Sequence, residues 1–351
     1  MARQVAIIGA GIAGIAAAWE IRRHGLEAIL LDRAEQPGGQ LATIRGEGWS
    51  ADVGAPFFDL AAPSLRLLLA QTGLTPSAVR LHDGVARLTA EGIAPRREFG
   101  GNRVALRQGW GALVAALTRE TAFWPGVAVD AFHWNSVRRR FEMRDADRKR
   151  AVFDPVARRV LEVDGVILAV PGPEAAAIAA NTSFLLPIAE PLSQVTAEPV
   201  VTGVFLVPAF DPGFCVLEGA PELALRWLTL EERKVPGRVP AGQGVVVACV
   251  GRELSSKLVQ LSESDAAPLL WRATADILGL PAAEPLASRL IAVGHGETPP
   301  ERQAAIPESG LPTDPAGIPF GLAGGWTAGP DLDAAAGSGR RAAAAVLARL
   351  S

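Results

Sequence analysis

Three glycines, Gly9, Gly11 and Gly14, and one acid, Asp32, have the residue types and spacing to hold a dinucleotide. Gly9 permits a tight turn, Gly11 lets a pyrophosphate come close to the backbone, and Gly14 lets a helix pack on a strand. The amides of Ile12 and Ala13 stand between them at the start of that helix, where free N–H groups and the dipole favour an anion. Asp32 follows by about the spacing at which an acid accepts hydrogen bonds from a ribose diol. Such chemistry needs a strand, a turn, a helix and a second strand in that order. Gln4 to Ile8 is a short apolar run for the first strand, Ile15 to His24 reads as the helix closed by Gly25, and Ala28 to Leu31 delivers Asp32.

Composition narrows the rest. With 351 residues, 49% hydrophobic and 20% charged, the chain can hold two domains around real cores. A net charge of −3 gives no reason to expect nucleic acid or an anionic membrane as partner. The two cysteines, Cys215 and Cys249, lie far apart, so neither a disulfide framework nor a zinc site is expected, and no metal is assigned. No run of about 20 uninterrupted apolar residues offers a membrane span, and the glycine-broken start lacks a cleavage site. The expected location is cytoplasmic.

After Asp32 and Arg33 comes a glycine pair, Gly38 and Gly39, then Gln40; further on, Asp52-Val53-Gly54-Ala55-Pro56-Phe57-Phe58 offers another tight backbone approach. A glycine pair there is unusual in simple NAD dehydrogenases and reads as a second loop brought against the pyrophosphate. The run from Val5 to Phe58 resembles the FAD-binding start of the amine oxidase superfamily, and within it the compact bacterial renalase-like oxidoreductases. The resemblance implies FAD as cofactor. It places Gly54, Ala55, Pro56 and Phe57 near the flavin. The superfamily commonly carries Arg where this chain has Gln40, which removes one charge-assisted phosphate contact.

The resemblance also organises the remainder. It implies an α/β architecture like that of p-hydroxybenzoate hydroxylase and the amine oxidases: a Rossmann-like FAD-binding domain of residues 1–62, 98–174 and 318–351, with a mostly antiparallel-β substrate domain of 63–97 and 175–317 inserted into it. A hairpin is expected over Thr43 to Trp49 and an amphipathic helix over Pro63 to Gly73. Short strands are expected from Leu74 to Glu98, where His82 is read as a surface residue. Gly109 to Leu117 matches the family's Gly-x-x-x-Leu-Val helix, and Val127 to Val129 would be the strand that meets adenine, with Val129 in contact. Val137 to Val163 reads as a small meander whose basic cluster, Arg138 to Arg150, is a solvated face. The strand from Asp164 to Pro171 returns the chain to the FAD sheet at Ala169, with a short helix from Glu174 to Asn181 after it. Apolar runs Val200 to Val207, Ala224 to Leu230 and Gly244 to Val250 are read as strands, and Asp265 to Leu278 as a helix.

Near the C-terminus, Gly321 to Trp326 is expected to be a strand running into a turn, with an alanine-rich helix over Asp333 to Leu350. In the superfamily that strand ends in Ala-Gly-Asp, the acid binds the ribityl chain, and the helix points its N-terminus at the flavin. Here the position of the acid is Gly325, while Asp333, Ala334 and Ser338-Gly339 keep the rest of the pattern. The resemblance puts Trp326 beside Phe57 as a flavin-proximal aromatic. None of the three lysines, Lys149, Lys234 and Lys257, falls in a motif that places it at flavin N5, and no second glycine fingerprint exists for a pyridine nucleotide. Three readings stand at this point: a renalase-like FAD oxidoreductase acting on a small molecule, with dihydro forms of NAD(P) as the implied substrate; a flavoprotein-fold binding protein that has lost activity; and an FAD-dependent desaturase, dehydrogenase or amine oxidase of the same superfamily.

Overall fold

The computed structural model describes residues 3–81, 84–97, 103–145, 150–154, 159–281, 283–299 and 317–351. The chain forms two units: Met1–Gly39, Val114–Ala197 and Glu297–Ser351 make the first, Gln40–Leu113 and Glu198–Gly296 the second.

In the first unit the apolar runs pair as a five-stranded parallel sheet. Its order is Ala122–Trp124, Glu27–Leu31, Gln4–Ile8, Gly165–Leu168, Phe320–Leu322. Parallel strands are buried on both faces, which is why Val5 to Ile8 and Val166 to Leu168 are almost continuously apolar and at most 3% exposed. The first helix, Ile12–Arg23, begins at the glycine turn itself, three residues before the expected start. It lies against the last helix, Leu332–Leu350, where Gly339 is obligatory: a Cβ there would come within 1.9 Å of the Ala13 carbonyl oxygen. An ion pair between Arg340 and Glu20 (3.0 Å) closes the same contact.

An antiparallel meander of Val129–Asn135, Arg140–Asp145 and Glu162–Val163 covers part of this core with Phe132, Phe141 and Met143. It starts earlier than expected, and Val127 and Ala128 lie outside its strand. Arg138 pairs with Glu162 and Arg140 with Asp164, so these two members of the basic cluster are spent on neighbouring acids. His82, Lys149 and Gly100 to Asn102 lie outside the described residues.

A seven-stranded sheet dominates the second unit, in the order Ala287–Glu297, Glu198–Pro208, Gln243–Val250, Leu225–Leu230, Val216–Glu218, Val85–Thr89, Gly92–Arg97. One face packs on helices that include Glu263–Leu278 through Phe205, Leu228, Leu270 and Trp271; the other carries Val204, Val245, Val247 and Trp227. The hairpin Ala42–Gly46/Trp49–Val53 lays Ala51 and Val53 on that second face.

This packing moves the domain borders. Residues 40–62 belong with the second sheet because their hairpin finds its apolar partners there, whereas helices Gly172–Ala180 and Leu186–Ser193 bury Ile178, Ile188 and Leu192 in the core of the first unit. No single helix among the described residues is long and apolar enough to cross a membrane, and they hold no group of metal-ligating side chains.

Candidate nucleotide site

In the first unit the chain turns at Gly9 with φ +103°, and a Cβ there would lie 2.5 Å from the Ala169 carbonyl oxygen, so Ala169 forms one wall of the turn. At Gly14 a Cβ would meet the Gly9 carbonyl oxygen at 1.9 Å, so the helix can approach only without a side chain. Gly11 differs from both. It is the N-cap of the first helix, in extended conformation, and a Cβ placed on it meets nothing within 4 Å. The helix start above it carries no side-chain cap and no acid in its first turn, leaving its positive end available to an anion.

The glycine pair arrives at this place. Gly38 donates its N–H to the Ala10 carbonyl (2.8 Å) and forms an isolated parallel bridge with Gly11. Gly39, at φ +60°, sits so that its Cβ would lie 3.1 Å from the Gly11 Cα. Asp32 accepts the Ala10 amide on one oxygen (2.6 Å) and the Ala34 amide on the other (2.8 Å), which fixes the carboxylate while each oxygen keeps a free lone pair. Its own backbone is held by Trp124 and Val127. The Val127 N–H donates to the Asp32 carbonyl (2.9 Å), and Val129 stands two residues on, at the start of its strand and 8% exposed. Arg33 is paired with Glu174.

At the far end of the same unit the strand Phe320–Leu322 stops sooner than expected. Gly324, at φ +142°, turns the chain into a short helix, Gly325–Ala328, and donates its N–H to the Ser338 hydroxyl (2.9 Å). Trp326 is a core side chain, 3% exposed, whose indole N–H donates to the Val170 carbonyl (2.9 Å). The last helix begins one residue before Asp333. Its cap is Asp331, whose carboxylate accepts the Ala334 N–H (2.8 Å), so that amide is already engaged. The sequence carried this signal as an Asp three residues before Ala334, directly after Pro330.

The remaining site residues belong to the second unit. The side-chain amide of Gln40 donates to the Gly296 carbonyl (2.5 Å), and Gly54, at φ +92°, passes so close to Gln40 that a Cβ would lie 2.2 Å from its carbonyl oxygen. Ala55 is held by Trp110, whose indole N–H donates to its carbonyl (2.9 Å), and Pro56 leads to Phe57, half-buried under the Arg103 guanidinium at 4.7 Å.

Beneath this segment lies a network the sequence did not reveal. Asp52 accepts from the Thr43 hydroxyl (2.9 Å), the Trp110 amide (3.0 Å) and Arg238 (2.8 Å). Glu231 accepts from Arg238 (2.6 Å) and Thr229 (2.9 Å), and Lys234 sits 2.5 Å from it as an ion pair, off the line a hydrogen bond needs. All four charged residues are at most 5% exposed. Burial alone would lower Arg238, but the charges of Glu231 and Asp52 outweigh it and hold the guanidinium above its ordinary value.

Residues 84–347 match the flavin containing amine oxidoreductase family, and residues 7–72 match an NAD(P)-binding Rossmann-like domain. The chain belongs to the flavin containing amine oxidoreductase family. The cofactor that goes with this family is FAD, and the first unit fits it: an uncapped helix start, open space over Gly11, and a glycine loop laid beside it.

Among curated relatives, the L-amino acid oxidase of Cerastes cerastes is 43% identical over 54 residues, 15% of this chain and 10% of that protein. The mitochondrial protoporphyrinogen oxidase of Nicotiana tabacum is 33% identical over 73 residues, 21% of this chain and 14% of that protein. These alignments span only a small part of either relative. Of solved structures, cyclohexylamine oxidase from Brevibacterium oxydans IH-35A superposes with a TM-score of 0.76 at 14% identity, covering 100% of both chains. Putrescine oxidase bound to putrescine gives 0.68 at 15% identity, covering 99% of each. At such identities the likeness is one of fold.

Proposed function

We propose that this protein is an FAD-dependent oxidoreductase that takes a hydride from a small organic molecule. Flavin would supply the redox chemistry, accepting the hydride at N5 and passing electrons to dioxygen or another acceptor. The chain's own part is to bind and orient. The observation that carries the reading is the Gly38–Gly39 loop resting on Gly11, because it builds two-sided backbone contact around an uncapped helix start. Gly9 to Gly14 would hold the pyrophosphate, Asp32 the adenosine ribose, and Ala169 and the turn at Gly324 the far wall.

The finer reading is renalase-like, with dihydro isomers of NAD(P) as substrate. It is supported by the segments Arg226 to Arg238 and Val245 to Glu253, whose order is similar to that of the renalase-like substrate domain, and by the Gly-x-x-x-Leu-Val pattern from Gly109. Amine oxidation through a lysine has less support, since Lys234 is committed to Glu231 and Lys257 to Glu253.

A second reading, a binding protein that keeps the fold without the chemistry, is favoured by two observations. The Gln40 amide is spent on Gly296, and Gly325 offers no side chain where the family has an acid. Anaerobic addition of dihydronicotinamide isomers to FAD-loaded protein separates the two. Bleaching of the visible flavin bands supports the oxidoreductase; a protein that takes up no FAD, or whose bands never bleach with these or other hydride donors, supports the binding protein.

A further inference from the structure

The inference rests on the flavoenzyme reading and names what the same protein recognises in its substrate; every residue in it lies in the second unit. Strand register carries one side chain from each of four neighbouring strands into a single row. Thr202 pairs with Cys249, Cys249 with Trp227, and Trp227 with Glu218. Directly paired residues stand on the same face of a sheet, so the four follow one another at about 5 Å per strand. The neighbouring row on that face is mostly apolar, with Val204, Val247 and Val216 and one hydroxyl, Thr229, already bonded to Glu231.

Three independent observations set the first row apart. Thr202 and Trp227 are 4% and 9% exposed, yet among the described residues neither the Thr202 hydroxyl nor the Trp227 indole N–H has a hydrogen-bond partner, and neither is sealed from open space. Buried donors in native proteins are nearly always paired, so two unpaired in one row point to a ligand or solvent that pairs them. Secondly, the strand register shifts beside the row, between Leu225 and Trp227 on one strand and between Val85 and Arg87 on another. Breaks of this kind in a ladder re-aim the side chains next to them. Thirdly, the row continues into the segment after Gly54: Glu218 pairs with Arg103 (3.2 Å), and Arg103 lies over the Phe57 ring. Arg87, in register with Glu218 and exposed, adds a second cation at that end.

We infer that Thr202, Trp227 and the Glu218–Arg103 pair form a recognition strip for a flat, conjugated molecule whose edge carries hydrogen-bond acceptors and whose end near Arg103 is anionic. The Trp227 indole N–H can only donate and asks for an acceptor, and the Thr202 hydroxyl can donate to the same edge; an ammonium in that place would leave the indole unpaired. Among the described residues, Arg103 and Arg87 both neighbour the Glu218 carboxylate, a balance that favours an anion over a cation. The strip therefore selects against the alkylammonium substrates that the family's name suggests.

Calorimetric titration of the FAD-loaded protein with quinoxaline-6-carboxylate, whose ring nitrogens are edge acceptors and whose carboxylate is the anionic end, and with quinoxalin-6-ylmethylamine tests this. The carboxylate is expected to bind about tenfold or more tightly than the amine. Thr202→Val, which keeps shape and removes one donor, is expected to weaken the carboxylate about five- to tenfold with unchanged melting temperature. Trp227→Phe removes the other donor together with a ring, and is expected to weaken the carboxylate at least as much while lowering the melting temperature. Arg103→Gln is expected to erase the preference for the anion. Equal or tighter amine binding, absent carboxylate binding, or full carboxylate affinity in both donor variants overturns the strip. The same titration without FAD keeps the two claims apart. Protein that never takes up FAD but still prefers the carboxylate sinks the flavin reading alone; FAD-loaded protein without the preference sinks the strip alone.

Discussion

Gly325 stands where the resemblance to the amine oxidase superfamily implies an acid, and the structure leaves room for one. A Cβ there would meet only the Pro330 Cα, at 3.7 Å, which is ordinary contact. Gly325→Asp is therefore expected to fold normally and to tighten FAD by about tenfold or more, the effect of one added charge-assisted hydrogen bond, read by equilibrium titration of flavin fluorescence. Glu232 offers a second test at this scale. Burial pushes its carboxyl up from the ordinary 4.5, against the Val245 amide that favours the charge. A folded-state value above the unfolded one means the native state holds the extra proton, so the ionised group costs stability at neutral pH and the cost fades as pH falls below the unfolded value. Glu232→Gln, which keeps an acceptor for Val245, is expected to raise the melting temperature near pH 7 and to lose that advantage toward pH 4.5. A gain that grows on acidification would contradict the assignment. At this scale the sequence spoke clearly where one residue's role is local, as at Gly9 and Gly14, and was silent on Gln40, whose partner Gly296 lies 256 positions away.

Elements add constraints that no single residue shows. The last helix starts on Asp331, whose cap contact with Ala334 is expected to contribute about 0.5–2 kcal/mol. Asp331→Ala should lower the melting temperature accordingly and extend fraying into the first turn, visible by amide exchange at Ala334. In the second unit, Arg238 binds Asp52 and Glu231 and also donates to the backbone carbonyls of Leu106 and Arg107. Arg238→Met leaves two buried carboxylates facing Lys234 alone and is expected to cost about 3–5 kcal/mol in urea unfolding. A loss under about 1 kcal/mol would mean that water replaces the guanidinium, contrary to its burial. The apolar runs announced the three central strands of the large sheet, because their periodicity is local, but not Val216–Glu218 or the edge strand Ala287–Glu297. The network remained hidden: Asp52 and Glu231 are 179 residues apart, and the charged run from Glu231 to Lys234 has the look of a solvated turn. Strand ends beside glycines were also misread. Gly321 to Trp326 is apolar throughout, yet Gly324 takes a left-handed φ and the strand gives way to a short helix.

Across the whole molecule, the borders between the units were not legible in the sequence. Composition marks where apolar runs lie, whereas a border depends on which sheet a hairpin covers, as the Ala42–Val53 hairpin shows. The recognition strip escaped for the same reason, since register across four strands decides it. The account's central claim is that a dinucleotide lies on the turn from Gly9 to Gly14. FAD titration of the parent chain beside Gly11→Val tests it most directly, because the added Cβ enters space that no protein atom occupies within 4 Å. The account predicts one FAD per parent chain, at least tenfold weaker binding in the variant, and, without FAD, a variant that still unfolds cooperatively and melts only a few degrees lower, the cost of a valine at the helix cap. Equal FAD affinity in both, or no uptake by either, would contradict it.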